Sequence, residues 1–478
     1  MTQVLAVLGL LNFFIALAMS LPLGISWAYG EQEASYFLIA IVVTLAAGVL
    51  FYLPKPEQKK DISRRQAFAI VSFGWLSASI FGTIPFLLSG IFVHPVDAFF
   101  EVVSGFTTTG SSVLTAINDL PRGILFWRSM IQWLGGMGII LLSIAILPFL
   151  GVGGMQLYRA EVPGPLLDKL RPRIAQTAKI LWQTYLFITG LEVVLLVLGG
   201  MSLFDSVCHA FTTMATGGFS TKVESIGYYG SYHRIVITVF MFLAGTNFAL
   251  HYRFMKGDLT SYWRDREFRF YGGLLITSTL VVYITLMHGV GGDWARRLEE
   301  SAFQVVSIMT TTGYATVDFD KWPHFCRYML LLLMFVGGSA GSTCGGIKCV
   351  RILIIYKYIA QELRKIIHPH AVVVVKLGET KISPAVINGV LGMFLLFIGI
   401  FVLASIAMAM LGLDVVTSVS SVAATLGNIG PGLGQVGPAS HYAHIPVLGK
   451  FILIFCMLAG RLEIYTIVIL LFPEFWKK

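Results

Sequence analysis

Four stretches of the sequence combine small hydroxyl side chains with a closing glycine, and they align without a gap. They read DAFFEVVSGFTTTG (97–110), DSVCHAFTTMATGG (205–218), ESAFQVVSIMTTTG (300–313) and TSVSSVAATLGNIG (417–430). Backbone carbonyls and threonine hydroxyls are uncharged oxygen ligands, and such ligands suit a dehydrated monovalent cation. Only the final glycine is common to all four stretches. We therefore expect backbone carbonyls, rather than hydroxyl groups, to hold the ion.

The last three positions of each stretch are the predicted ion ligands. Glycine suits the last position because it adopts a positive φ and can aim a carbonyl inward. No Asp or Glu lies within eight residues before these glycines, and no Arg or Lys lies in the stretches, which disfavours a calcium-type acidic ring and an anion site. The residues by themselves do not choose potassium over sodium. The predicted ligands are Thr108, Thr109, Gly110, Thr216, Gly217, Gly218, Thr311, Thr312, Gly313, Asn428, Ile429 and Gly430.

Membrane helices must position these residues. Of the 478 residues, 56% are hydrophobic and 12% are charged, about half the charged share of a soluble domain. The first apolar run has no basic n-region and is expected to be a retained span rather than a signal peptide. The five cysteines are scattered, so neither a disulfide framework nor a zinc site is expected. Runs of about 20 apolar residues predict ten spans, at 4–27, 36–53, 67–92, 124–150, 177–200, 233–252, 269–289, 327–357, 385–411 and 446–472.

The net charge of +9 gives an orientation rather than a nucleic-acid partner. Basic residues are concentrated in the connections 54–65, 159–179, 253–269 and 348–381. The positive-inside rule places these connections in the cytoplasm. With ten spans, both termini are then cytoplasmic.

Each aligned stretch lies between two predicted spans and is expected to form a short helix that stops midway through the bilayer. About ten residues, about 15 Å, would begin with a cap or an acidic first turn at Asp97, Asp205, Glu300 or Thr417 and end near the glycine. Non-helical backbone is tolerated at that depth only where it lines a cavity or is buried in protein. Packing by Thr and Gly is the alternative for any single copy. Four copies at matching places favour a pore.

The predicted fold is an all-α polytopic membrane protein in which four span–pore-helix–span repeats surround a central pore, with an extra N-terminal pair of spans. The N-terminal two-span unit is expected at 1–60. The pore repeats 1 to 4 are expected at 61–155, 156–262, 263–370 (with a broken second span) and 371–478.

A glycine-rich segment, GGSAGSTCGGIKC (337–349), interrupts the eighth predicted span. A continuous helix there would cost about 1 kcal/mol per glycine relative to alanine, so a break is expected. Two interpretations stay open, a packing kink and a mobile loop below the filter that gates the path. The candidate gate residues are Gly337, Gly338, Ser339, Ala340, Gly341, Gly345, Gly346, Lys348 and Arg461.

Two charged residues fall inside predicted spans. Arg461 lies in the middle of the last one, where a charge costs about 2.5–3.5 kcal/mol and indicates function by default. Glu463 would face elsewhere on a continuous helix, and a structural ion pair is the alternative role for Arg461. Glu192 lies in the fifth span and is expected either to pair within the bundle or to face a polar pocket.

In combination, several of these stretches resemble the Trk/Ktr/HKT superfamily of cation transporters, and most closely the bacterial Trk-type potassium-uptake proteins. They are FFEVVSGFTTTGSSV (99–113), WLGGMGIILLSIAILPFLGVGGMQLYRAEVPGP (133–165), ATGGFST (215–221), GGSAGSTCGGIKCVRI (337–352), AATLGNIGPGLG (423–434) and GRLEIYT (460–466). The resemblance implies potassium selectivity with rubidium tolerated, because all four filters carry glycine. It also implies a gating loop at 337–349 with Arg461 beside it, a homodimer, and a soluble TrkA-type ring that binds nucleotides.

The predicted function is non-enzymatic potassium uptake across the bacterial cytoplasmic (inner) membrane through a gated, channel-like pore. An inside-negative potential favours cation entry by about 2.3 kcal/mol per 100 mV, which can drive uptake. The alternative is a proton- or sodium-coupled symporter, which needs an intramembrane carboxylate, and Glu192 is the candidate. Potassium in the pore is the one expected cofactor, and the short connections between spans leave no room for an organic cofactor domain on this chain.

Overall fold

The computed structural model describes residues 2–53, 63–145, 170–370, 374–378 and 380–477, and these are almost entirely helical. The predicted basic connections 54–65 and 159–179, and the motif at 133–165, lie partly outside these ranges. The unit boundaries after 60, 155 and 370 also touch residues outside them, whereas the boundary after 262 falls within a four-residue helix. In chain order the elements are α1 (Thr2–Ala28), α2 (Glu33–Tyr52), α3 (Arg64–Leu88), α4 (Pro95–Phe106), α5 (Arg122–Ala145), α6 (Leu170–Leu198), α7 (Leu203–Met214), α8 (Ser231–Ala244), α9 (Phe248–Met255), α10 (Ser261–Arg264), α11 (Arg266–Gly289), α12 (Trp294–Met309), α13 (His324–Leu333), α14 (Cys349–Ile367), β1 (Lys376–Leu377), β2 (Thr380–Lys381), α15 (Pro384–Met410), α16 (Val415–Leu426), α17 (Val447–Arg461), α18 (Tyr465–Val468) and α19 (Pro473–Trp476).

The long apolar helices account for most of the predicted spans. Within the described ranges, six helices are long and apolar enough to cross a membrane, namely α1, α2, α3, α6, α11 and α15. Counting the bent pairs α8/α9 and α17/α18 as one span each raises the number to eight. The two other predicted spans correspond to α5, which reaches the end of a described range, and to α13 and α14, which a loop separates.

The first two helices form an extra pair beside the first repeat. Helices α1 and α2 pack along each other and against α3 and α5. They approach so closely that a methyl group on Gly9 would overlap the carbonyl oxygen of Gly48. Small residues at such a crossing let membrane helices pack backbone to backbone.

Four half-helices, α4, α7, α12 and α16, follow the first span of each repeat, and each ends four residues before its aligned glycine. They have 12, 12, 16 and 12 residues, about 18–24 Å of rise. Their N-caps are His94, Ser202, Asp293 and Asp414.

The prediction of where these helices start is wrong for the third and the fourth. Helix α12 begins six residues before Glu300, which therefore lies beyond the first turn and pairs instead with Arg297 over 2.7 Å. Asp97 and Asp205 do lie in the first turn of their helices, whereas Thr417 follows its cap Asp414 and donates its N–H to it.

The second span of three repeats is broken, whereas α5 is continuous over its described length. Helices α8 and α9 meet at 102°, and α17 and α18 at 115°. The predicted break in the eighth span is present, because α13 ends at Leu333 and α14 begins at Cys349. Neither the bend between α8 and α9 nor the break in the last span was predicted. The latter break follows Arg461 directly, and Glu463 and Ile464 have left-handed φ values of 59° and 53° there.

Outside the helices, β1 and β2 form one short antiparallel hairpin, in which Lys376 pairs with Lys381 and Leu377 with Thr380. This hairpin joins repeat 3 to repeat 4 and leaves the all-α character of the fold unchanged.

Candidate functional site

Each half-helix ends in the same backbone motif. The N–H two residues after the C-cap bonds back to the carbonyl of the small residue six before the glycine, as in Thr109 to Ser104 at 2.8 Å and Thr312 to Ser307 at 2.9 Å. The preceding N–H bonds to the next carbonyl, as in Thr108 to Gly105 at 2.9 Å. This is a Schellman ending, in which one residue takes a left-handed conformation. That residue is Thr108, Thr216, Thr311 or Asn428, with φ between 51° and 55°.

The aligned glycines also have positive φ, as expected from the sequence: 83°, 73°, 81° and 107° for Gly110, Gly218, Gly313 and Gly430. The residue between the two left-handed positions has negative φ in every repeat. Alternation of the sign of φ turns successive peptide carbonyls toward one side of the chain. A β-branched threonine in the left-handed region is unfavourable, so packing must hold this conformation.

The four triplets close into a ring. A methyl group on Gly110 would overlap the carbonyl oxygen of Gly217 in repeat 2, and one on Gly218 would overlap that of Thr312 in repeat 3. The series continues from Gly313 to the oxygen of Ile429 in repeat 4. It returns to repeat 1, where a methyl group on Gly430 would lie 2.9 Å from the oxygen of Thr109. Each glycine therefore makes room for a carbonyl of the following repeat.

Side chains that the sequence did not single out support this ring. Gln132 on α5 donates from Nε2 to the oxygen of Gly217 over 2.6 Å and accepts the N–H of Phe219 over 3.1 Å. The oxygen of Gly430 accepts the Tyr442 hydroxyl at 2.8 Å and the Ser111 hydroxyl at 3.0 Å. All are buried. These residues lie outside the four aligned stretches, so the alignment could not have found them.

In repeats 1 and 3, one pair of threonine hydroxyls bonds within the same stretch. Thr107 and Thr109 hydroxyls lie 2.7 Å apart in repeat 1, and those of Thr310 and Thr312 lie 2.8 Å apart in repeat 3. In repeat 4, Asn428 donates from Nδ2 to the Thr109 hydroxyl over 2.9 Å. These hydroxyls therefore brace the triplets.

The loop 334–348 crosses the C-terminal ends of the half-helices. Thr343 donates its hydroxyl to the oxygen of Met214, the last residue of α7, over 3.0 Å. The N–H of Gly345 bonds to the hydroxyl of Thr311 in the filter of repeat 3 over 2.8 Å. The N–H of Ser339 bonds to the oxygen of Gly245, in the break between α8 and α9, over 2.9 Å. The loop thus contacts the end of the half-helix α7, the triplet of repeat 3 and the broken span of repeat 2.

Arg461 completes the contacts around this loop. Its Nη1 donates to the oxygen of Thr343 over 2.7 Å, and its Nη2 donates to the oxygen of Gly135 on α5 over 3.1 Å. Only 2% of the residue is exposed. Repeats 1, 3 and 4 therefore meet at one guanidinium group.

Glu463 does not face away from this region, as a continuous helix would require. The left-handed turn after Arg461 brings its carboxylate into an ion pair with Arg351 on α14. Lys348 bonds to the oxygen of Cys344 within the loop, and these charged residues, with Arg461, line one small cavity. The ion pair considered for Arg461 is thus made instead by Arg351, with Glu463.

The structure places the remaining gate candidates within the same loop. Gly337 and Ile347 are joined by a backbone bond of 2.9 Å, which closes the base of the loop. Gly338 accepts the N–H of Cys349 over 3.1 Å, and Gly341 accepts that of Phe248 on α9 over 3.1 Å. Gly341 and Gly346 adopt left-handed φ values of 75° and 63°.

A basic residue near the start of each second span links its repeat to the next. Arg128 on α5 pairs with Glu101 over 2.7 Å and donates to the oxygen of Ser220 in repeat 2 over 3.0 Å. Arg234 on α8 pairs with Glu299 in repeat 3 over 3.3 Å. These two contacts join repeats 1, 2 and 3 at the side where the half-helices begin.

The other two links complete the circle. Arg327 on α13 pairs with Asp320 over 2.8 Å, and Asp320 accepts the N–H of Gly434 in repeat 4 over 3.3 Å. Lys450 on α17 pairs with Asp97 on α4 over 2.6 Å, which joins repeat 4 to repeat 1.

Glu192 lies on α6 and is completely buried beside Thr213 of α7. Within the described part of the chain, neither of its carboxylate oxygens has a hydrogen-bond partner of good geometry. All five cysteines are buried and free.

Four span–half-helix–span repeats closed around one axis define a polytopic membrane transporter. The chain belongs to the TrkH family, whose model, described as a cation transport protein, matches residues 33–478. It is 41% identical over 484 residues to the Trk system potassium uptake protein TrkH of Halomonas elongata, covering 100% of this chain and 99% of that protein. It is 42% identical to TrkH of Escherichia coli K12 over 479 residues, 99% of this chain and 98% of the relative. The crystal structure of the potassium transporter TrkH from Vibrio parahaemolyticus matches with a TM-score of 0.92 at 37% identity, covering 100% of this chain and 99% of that one.

Proposed function

We propose that this chain is the membrane subunit of a potassium-uptake system and conducts potassium through a gated, channel-like pore. The observation that carries the proposal is the ring of four glycines, each set against a backbone carbonyl of the next repeat. Carbonyl oxygens held at fixed spacing can replace the hydration shell of a monovalent cation. The half-helices direct the negative ends of their dipoles toward the same region, which favours a cation. The relatives are named for potassium uptake rather than for catalysis.

In this proposal the triplets at 108–110, 216–218, 311–313 and 428–430 form the filter, which also accepts rubidium. The loop 334–348 is the gate, and Arg461 is a positive barrier beside it. The pore lies in the bacterial cytoplasmic membrane with both termini inside. The chain forms a homodimer and is regulated by a cytosolic TrkA-type ring that binds nucleotides, as the resemblance implies.

Purified protein in potassium-loaded proteoliposomes tests this function. A channel gives a current that reverses at the potassium Nernst potential whatever the proton or sodium gradient. Sodium should compete weakly with rubidium-86 uptake, and rubidium should compete strongly. A reversal potential that moves with the proton gradient would contradict the channel mechanism.

The buried Glu192 favours a second candidate, a proton-coupled symporter. A carboxylate with no described partner, beside the half-helix α7, is the type of group that binds and releases a proton within a membrane protein. Glu192→Gln separates the two mechanisms. It would abolish proton-driven accumulation in a symporter, whereas a channel would keep its reversal potential.

A further inference from the structure

One carboxylate oxygen bonds both to the loop 334–348 and to the helix that follows it. Glu267 lies in the first turn of α11 and is 9% exposed. Its Oε1 accepts the N–H of Ala340 over 2.8 Å and the N–H of Val350 over 2.9 Å. Ala340 lies on the incoming side of the loop, and Val350 is the second residue of α14.

The bond to Val350 is more than a loop contact. The first four N–H groups of a helix have no partner within the helix, and a negative charge is favoured beside them. Glu267 therefore caps α14 from a different helix and holds the loop with the same oxygen. Because both bonds share one acceptor, a movement of α14 away from α11 must also disturb the hold on Ala340.

The other residues that hold the loop are spread over three repeats. Thr311 belongs to the filter of the same repeat, but Gly245 belongs to repeat 2 and Arg461 to repeat 4. These anchors fix the loop against the triplet of its own repeat and against the second spans of repeats 2 and 4. Glu267 instead fixes it against α11, the first span of its own repeat, at the end where α14 leaves the loop.

We propose that Glu267 is a latch, a positioning residue that couples the placement of α14 to the closed state of the loop. The inference rests on the proposed function of this loop as a gate. A buried carboxylate that loses its donors is costly to leave unpaired, so the latch favours the closed loop until α14 moves.

Replacement of Glu267 should shift the gate toward the open state. Loss of two buried hydrogen bonds corresponds to about tenfold in the closed-to-open equilibrium. Glu267→Ala removes both bonds, whereas Glu267→Gln keeps an oxygen in place but without the charge. Asp265→Ala is the matched control, because Asp265 caps α11 by accepting the N–H of Phe268 over 2.7 Å and does not bond to the loop.

The measurement is rubidium-86 uptake by the full chain in proteoliposomes, without any cytosolic partner, under an imposed inside-negative potential. Glu267→Ala should raise basal uptake about tenfold and Glu267→Gln by a smaller factor. Asp265→Ala should stay near the wild-type rate. Competition by sodium should be the same in all four proteins, because the latch acts on the loop and not on the filter.

Several results would overturn the latch. Uptake by a correctly eluting Glu267→Ala protein at or below the wild-type rate is one. An equal rise in Asp265→Ala is another, because the effect would then come from the end of α11. If the alanine variant does not elute as folded protein, the nearly isosteric Glu267→Gln decides, and an unchanged or lower rate overturns the proposal. If wild-type protein takes up neither rubidium nor potassium, the proposed function itself fails and the latch falls with it.

Discussion

The Nη1 atom of Arg461 lies 2.7 Å from the carbonyl oxygen of Thr343. This bond joins the last residue of α17 to the loop that crosses the half-helix ends. The second bond of the same guanidinium, to Gly135 on α5, reaches repeat 1. Arg461 therefore places a positive charge beside the loop and also links the loop to α5 by hydrogen bonds.

We expect Arg461→Ala to make the pore leakier. A positive charge beside the path, at an assumed separation of about 8 Å, raises the energy of a passing cation by about 2 kcal/mol at an effective dielectric constant of about 20, so its removal should raise conductance by up to about 30-fold. Single-channel recording of purified protein in bilayers measures this. Arg461→Lys keeps the positive charge but cannot make both guanidinium hydrogen bonds. It therefore separates the electrostatic role of Arg461 from its role in holding the loop. Unchanged or lower conductance and open probability in Arg461→Ala would contradict the assignment.

Gly110→Ser should weaken potassium preference more than Thr107→Ser does. A side chain at Gly110 would meet the Gly217 carbonyl and would strain a φ of 83°. The strain of about 1–2 kcal/mol corresponds to about tenfold in selectivity. Serine at 107 keeps the hydroxyl that bonds to Val103 and Thr109. Competition of sodium against rubidium-86 uptake ranks the two, and the reverse order would refute a filter built on carbonyls.

Gln132→Leu should impair selectivity although it replaces no residue of the filter itself. The change leaves the oxygen of Gly217 and the N–H of Phe219 without their partner, at about 1–3 kcal/mol each. The expected result is a lower ratio of potassium to sodium permeability, read from reversal potentials in mixed salts. Gln183→Leu is the control, since that glutamine is exposed on α6 and lies outside the filter. Equal permeability ratios in both variants would mean that Gln132 only fills space.

Arg128→Met should destabilise the folded protein strongly. It would leave Glu101 buried on α4 without its counter-charge, and breaking one partner of a buried pair costs about 3–5 kcal/mol. The double variant Glu101→Gln with Arg128→Met should recover much of that loss, because no isolated charge remains. Thermal unfolding midpoints in detergent test the order, which would be wrong if the double variant were as unstable as the single one.

The fourfold alignment anticipated the main features of the site because backbone geometry repeats with sequence. Each half-helix ends four residues before its glycine, and each glycine has positive φ. The left-handed threonines were not anticipated, since an isolated Thr-Thr-Thr gives no signal for an unfavourable φ. Packing from other repeats holds them there.

Side-chain partners across repeats were beyond the sequence for a similar reason. Gln132 and Glu267 act on residues 85 and 73 or 83 positions away, respectively, and nothing in their local context differs from that of ordinary polar helix residues. The break after Arg461 was missed because GRLEIYT contains no proline and only a leading glycine. The strain at Glu463 and Ile464 is visible only in the structure.

Within the described ranges, a loop like 334–348 interrupts the second span of repeat 3 alone. An assembly of four identical subunits would bring four copies of the loop to the same axis. A single chain with four diverged repeats can carry the loop in one repeat and lack it in the others. The price of that freedom is that a mutation in this loop has no redundant copy to compensate for it.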